Sequence, residues 1–105
     1  MGGSGSKTEK FGPTDAEYKM TIQYCGGWGY RSKAVFIQQN VEKEFGDKLQ
    51  VIFEKDKGIT GNLEIKVTDS KGKSTMIHSK KEGGGFVKQE NVQSFIDKVN
   101  KIVKA

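Results

Sequence analysis

The chain has 105 residues, 33% of them hydrophobic and 30% charged, and its 18 basic against 13 acidic side chains leave a formal charge of +5. That length fits one domain of about 100 residues, and no run of about 18 apolar residues exists to cross a membrane as a helix. The single cysteine, Cys25, excludes an internal disulfide framework and any multi-cysteine metal site, so no metal is expected and a reducing, cytoplasmic setting is.

The charge is mostly lysine. Seventeen of the 18 cations are lysines, and Arg31 is the lone arginine. Most lysines alternate with acids, as in Glu42-Lys43-Glu44 and Glu54-Lys55-Asp56-Lys57. Reading bases and clamping phosphates favour arginine forks and clustered charge, so the pattern argues for a solvated surface and against a nucleic-acid partner.

Residues 1–17 read as a flexible N-terminal tail. Met1-Gly2-Gly3-Ser4-Gly5-Ser6 is too poor in apolar side chains to bury itself. It satisfies the M-G-x-x-x-[ST] pattern for N-myristoylation, with Gly2 as the acceptor, and it equally reads as a glycine-serine linker. One acyl chain gives only marginal, reversible membrane binding, so a peripheral membrane position is expected only if Gly2 is acylated.

Residues 18–105 read as the folded domain. Met20, Ile22 and Tyr24 alternate with Thr21 and Gln23, which is the period of a strand. The run Cys25-Gly26-Gly27-Trp28-Gly29 forces a loop. Ala34, Ile37, Val41 and Phe45 then recur at helical spacing over residues 31–45, with Gly46 as the stop. Leu49, Val51 and Phe53 mark a second strand, parallel to the first because a helix separates them. Leu63, Ile65 and Val67, the turn Asp69-Ser70-Lys71-Gly72 and the return strand over residues 74–79 form a hairpin. After Gly83-Gly84-Gly85, one helix face carries Val92, Phe95, Ile96, Val99, Ile102 and Val103. The expected fold is therefore α/β, in the thioredoxin-like order β-α-β-β-β-α: a four-stranded mixed sheet with two helices, expected as a monomer.

Cys25 stands at the carboxyl end of the first strand, where ligands and reactive groups gather in open α/β sheets. A thiol just before a helix N-terminus meets the partial positive charge of unpaired N–H groups, which favours thiolate. Arg31 and Lys33 are expected to add to that stabilisation, while Gly26, Gly27 and Gly29 let a small thiol approach. Trp28 reads either as a core anchor or as a shield over the sulfur. His78 has no second ligand and reads as a hydrogen-bonded strand residue.

Tyr24-Cys25-Gly26-Gly27-Trp28-Gly29-Tyr30 resembles the redox loop of the selenoprotein W family, which carries Cys-x-x-selenocysteine or Cys-x-x-Cys followed by Gly-Tyr. Thr60-Gly61, Ile77-His78-Ser79-Lys80-Lys81 and the glycine loop with Phe86-Val87 extend the resemblance in order over nearly the whole domain. It implies a small thioredoxin-like protein of thiol redox balance, cytoplasmic, without a bound cofactor, with glutathione as a possible thiol substrate. Trp28 stands where the family has selenocysteine or its second cysteine, so Cys25 has no resolving partner. Pro13 is the sole proline, so the cis-proline of thioredoxins is missing at the point where Thr60 and Gly61 stand. Two readings follow: a monothiol protein, at most a weak thiol oxidoreductase, using Cys25 in mixed disulfides; or a non-catalytic interaction module that docks a protein partner through the Cys25–Tyr30 loop.

Overall fold

The computed structural model describes residues 7–27 and 29–103. The glycine-serine segment with Gly2, and Trp28, lie outside the described residues. The elements in chain order are β1 (Lys7–Phe11), β2 (Tyr18–Tyr24), α1 (Tyr30–Phe45), β3 (Leu49–Lys55), β4 (Leu63–Thr68), β5 (Ser74–Ser79) and α2 (Val92–Val103), with a short 3-10 turn at Gly46–Lys48 between α1 and β3.

The strands form one mixed sheet in the order β1-β3-β2-β4-β5. The central β2 and β3 are parallel, in a register that sets Met20 beside Val51 and Ile22 beside Phe53. This is the pairing expected of two strands joined through a helix. β4 runs antiparallel to β2, and β5 returns antiparallel to β4 with a register shift between Ile65 and Lys66.

The expected β-α-β-β-β-α frame is present, but the sheet has five strands rather than four. The extra one, β1, lies inside the stretch read as a tail and pairs antiparallel with β3, from Lys7 opposite Lys55 to Phe11 opposite Val51. Its sequence, Lys-Thr-Glu-Lys-Phe, carries a single apolar side chain and so shows no hydrophobic alternation. Phe11 nevertheless packs on Phe53, ring centroids 4.6 Å apart. Charged side chains on such a strand suit a sheet edge, where they discourage pairing with another chain.

Burial alternates cleanly along β2 and β4. Tyr18, Met20, Ile22 and Tyr24, and Leu63, Ile65 and Val67, are buried, while the intervening Lys19, Thr21, Gln23 and Glu64 are half-exposed. Period-two side chains point to opposite faces, so one sheet face is the core face. Ala34, Ile37 and Val41 of α1 cover it together with Val92, Phe95, Ile96, Val99 and Val103 of α2, and the two helices also touch each other. Ile102, expected on the same stripe, is partly buried. Each fully buried aliphatic or phenyl side chain contributes about 1.5–3 kcal/mol of transfer free energy, and this stripe is what fastens α2 to the sheet.

Candidate functional site

Cys25 follows the last residue of β2 and is buried, with 1% of its surface exposed. A second loop, 56–62, joins β3 to β4 and lies against the end of β2. Three main-chain hydrogen bonds hold the two segments together. The Asp56 N–H donates to the Tyr24 carbonyl at 2.8 Å, the Gly26 N–H to Gly58 at 2.9 Å, and the Cys25 N–H to Asn62 at 2.9 Å.

Gly26 is where this approach demands glycine. A Cβ there would sit 2.4 Å from the Asp56 carbonyl oxygen and 2.8 Å from that of Gly58, both main-chain atoms that cannot swing aside. Gly26→Ala is therefore expected to destabilise the fold by about 1–3 kcal/mol, the usual range for overpacking, as read from urea unfolding. A change under about 0.5 kcal/mol would mean that the loops separate without cost.

One close main-chain hydrogen bond to the sulfur is present among the described residues. The Gly27 N–H donates to Sγ at 3.2 Å. Burial pushes the Cys25 pKa up, but hydrogen bonds from the backbone of Gly61, Gly27 and Thr60 outweigh it and hold the thiol below its ordinary value. The Thr60 hydroxyl also lies within reach of the sulfur. It donates to Asp56 Oδ2 at 2.5 Å.

Arg31 and Lys33 do not take the place expected of them. Arg31 forms a two-pronged contact with Glu9 of β1, Nη2 to Oε1 at 2.7 Å and Nε to Oε2 at 3.2 Å, and Glu9 holds the guanidinium pKa up. An exposed pair of this kind contributes about 0–1 kcal/mol. Lys33 Nζ lies over the Phe86 ring, 5.2 Å from its centroid. Neither is among the groups that lower the Cys25 pKa. Tyr30 also packs on Phe86, with centroids 5.4 Å apart, and so ties the start of α1 to the glycine loop. Gly29, with φ +85°, caps α1 without a side-chain acceptor, and its carbonyl accepts from the Ser32 hydroxyl at 2.8 Å.

The residues that sequence reasoning missed are Asp56 and Asn62. The Asp56 carboxylate accepts from Gln23 Nε2 at 2.9 Å, from Asn62 Nδ2 at 2.9 Å and from the Thr60 hydroxyl. Partial burial pushes its pKa up, and these three donors, Thr60 foremost, more than reverse that. An aspartate followed by threonine and asparagine at i+4 and i+6, across two glycines, is the only sequence signal of such a hub. His78 is the hydrogen-bonded strand residue anticipated, its Nε2 at 2.8 Å from the Gly85 carbonyl oxygen and its ring edge-on to Phe95. Among the described residues, no cluster of three or more histidine, cysteine or carboxylate side chains could hold a metal ion.

A mixed sheet with both helices on one face, and a thiol between a central parallel strand and the helix that follows it, defines a thioredoxin-like α/β domain. The Rdx family model matches residues 19–98, and the chain belongs to that family. It is 40% identical over 73 residues to selenoprotein W of Danio rerio, an alignment covering 70% of this chain and 79% of that protein. Against selenoprotein W of Macaca mulatta the identity is 39% over 70 residues, covering 67% and 75%. Similarity to selenoprotein V of Homo sapiens is 28% over 101 residues, 94% of this chain but 27% of that much longer protein. The resemblance read from the Cys25 loop is thus a family relationship. β1 lies before the matched span, so the Arg31–Glu9 pair joins a family residue to a strand outside that span.

Proposed function

We propose that the chain is a monothiol redox protein in which Cys25 exchanges with glutathione-type disulfides. Membership of the Rdx family supports a thioredoxin-like, redox-related role. The observation that carries the finer reading is the Gly27 N–H on Sγ, with the thiol held below its ordinary value, because the thiolate is the attacking species in disulfide exchange. Attack on oxidised glutathione forms the Cys25–glutathione disulfide and breaks the substrate's own sulfur–sulfur bond. One glutathione leaves as thiolate and takes its proton from water. A second glutathione thiolate then attacks the glutathionyl sulfur, re-forming oxidised glutathione as the Cys25–sulfur bond breaks and Cys25 is freed. With no second cysteine in the chain, release depends on an external thiol. We place this chemistry in the cytoplasm.

Intact-mass measurement after incubation with oxidised glutathione should show one added glutathionyl group, removable with excess reduced glutathione and absent from Cys25→Ser. A wild-type chain that stays unmodified at neutral pH would sink this reading. The alternative, a docking module, is favoured by one observation: Ile59, on the loop beside Cys25, is 89% exposed. An exposed aliphatic beside the family's motif loop suits contact with a protein partner.

A further inference from the structure

Two lysine ammonium groups converge on one ring near the start of α1. Lys33, in the first turn of that helix, and Lys80, just after β5, lie 5.2 Å and 5.6 Å from the Phe86 centroid. Lys33 also lines a groove of about 250 Å³ between α1 and the segment leading to α2, where Ser32 and Phe36 face Val87, Lys88 and Gln89. Phe36 is partly buried and Val87 buried, so the lining is apolar and the rim carries the charge. The first turn of α1 adds to that charge: it holds no acidic residue, and its Gly29 cap has no side-chain acceptor. Main-chain N–H groups at a helix start lack intrahelical partners and carry partial positive charge.

Like charges gathered on one surface repel one another, and the fold does not balance these. Among the described residues the only ion pair is Arg31 with Glu9. Lys33, Lys80 and Lys88 therefore have no carboxylate partner there, although Glu82 and Glu90 lie on the same segment. An aromatic face offsets an exposed cation only weakly. We infer that this groove docks an acidic peptide segment of a protein partner, with its carboxylates on Lys33, Lys80 and Lys88 and one apolar side chain on Phe36 and Val87. The inference needs no chemistry at Cys25.

Shape and charge together select this occupant. The groove is smaller than the about 300–1,000 Å³ of pockets that enclose a cofactor or drug-sized ligand, and it suits a single inserted side chain. Nucleic-acid phosphates are clamped best by arginine forks, and no arginine lines it. A lipid surface would meet the lysine heads and leave the apolar lining between them unfilled. A peptide with acids on both sides of an aliphatic or aromatic residue satisfies both halves. The acids steer the encounter and make it depend on salt, and the anchoring side chain supplies the desolvated contact.

The experiment is fluorescence anisotropy of a labelled peptide, Glu-Asp-Glu-Leu-Phe-Glu-Asp-Glu, titrated with the full chain. Saturable binding is expected, weakening as ionic strength rises from about 0.01 M to about 1 M and the screening length falls from about 30 Å to about 3 Å. Lys33→Glu with Lys88→Glu should weaken it by about tenfold or more. Lys43→Glu with Lys48→Glu, at the far end of α1, lowers the net charge equally and should cost less than about twofold. Lys88→Glu alone, at an exposed side chain, is the judge if the first pair does not fold. A peptide with Ser-Ser in place of Leu-Phe should also bind about tenfold more weakly or worse. Absence of saturable binding at about 1 mM chain overturns the inference, and so does an equal loss in the two double variants or equal binding of the serine peptide. If phosphatidylserine vesicles bind where the peptide does not, the lysines serve a membrane and the inference fails. Cys25→Ser and Ile59→Ser should bind as the parent chain does; a loss in either places the contact at the motif loop and overturns the groove. The glutathione mass assay succeeds or fails separately, because peptide binding uses no thiol.

Discussion

Trp28→Cys should convert the chain from one that cannot form an internal disulfide into one that does. Cys25 and position 28 have the Cys-x-x-Cys spacing, and two glycines lie between them. Cys25 directly follows the central strand β2, and Gly29 caps α1. On oxidation by glutathione disulfide, Cys25 would first form the mixed disulfide. The new thiolate at position 28 would then attack Cys25 Sγ, releasing glutathione and closing the ring. Two thiols are oxidised and one glutathione disulfide becomes two glutathiones. The unmodified chain can only reach a mixed disulfide, an intermolecular dimer or a sulfenic acid. The readout is the mass of the oxidised monomer, where the variant should lose two hydrogens and the native chain none. The variant should also turn over in a dithiol assay in which the native chain is silent. Dimers or stable glutathione adducts in place of the ring would mean that positions 25 and 28 do not face each other.

How much of this was legible in the sequence depends on which force wrote each part. Elements held by apolar burial left their period in the chain. Met20, Ile22 and Tyr24, the Ala34–Val41 stripe, and the Val92–Val103 face are each found where their spacing puts them, since side-chain periodicity follows directly from backbone geometry. β1 left no such trace: four of its five residues are polar, and main-chain pairing with β3 does not depend on side-chain identity. Gly26 was legible as a glycine that permits close approach, though what approaches is the carbonyl of Asp56 rather than a substrate.

The electrostatics of the site show the same division. A lowered thiol pKa follows from position at a strand–helix junction, and the direction agrees with the structure. The agents differ, because nearness along the chain is not nearness in space. Arg31 is six positions from Cys25, yet the first turn of α1 directs it to Glu9, 22 residues upstream. Thr60 and Gly61 are some 35 positions downstream, on a loop that a hydrogen-bonded ring around Asp56 ties together. Nothing periodic marks that ring.

Phe53→Ala should be among the most damaging single truncations of the core, and its cost tests whether β1 is part of the fold. Phe53 is completely buried in β3, paired in register with Ile22 of β2 on one side and Glu9 of β1 on the other. Its ring packs against Phe11 of β1 at 4.6 Å and edge-on against Tyr24 of β2 at 5.6 Å, and the Arg31 guanidinium lies 6.0 Å from its centroid. Truncating a buried phenylalanine to alanine costs about 3–5 kcal/mol, and each lost aromatic pair belongs to that sum rather than adding to it. Against a total stability of about 5–15 kcal/mol for a single domain, that is a fifth of the whole or more. With a urea slope of about 1–3 kcal/mol per molar, the unfolding midpoint should fall by about 1–5 M. Phe53→Leu, which keeps most of the volume, should cost less than about 1.5 kcal/mol. Phe11→Ala supplies the decisive comparison, because Phe11 is only partly buried and its ring packs on Phe53. If β1 is a working edge strand, the double variant Phe11→Ala with Phe53→Ala should lose clearly less than the two single losses added together. Strict additivity would mean that β1 rests on the sheet without contributing to its core.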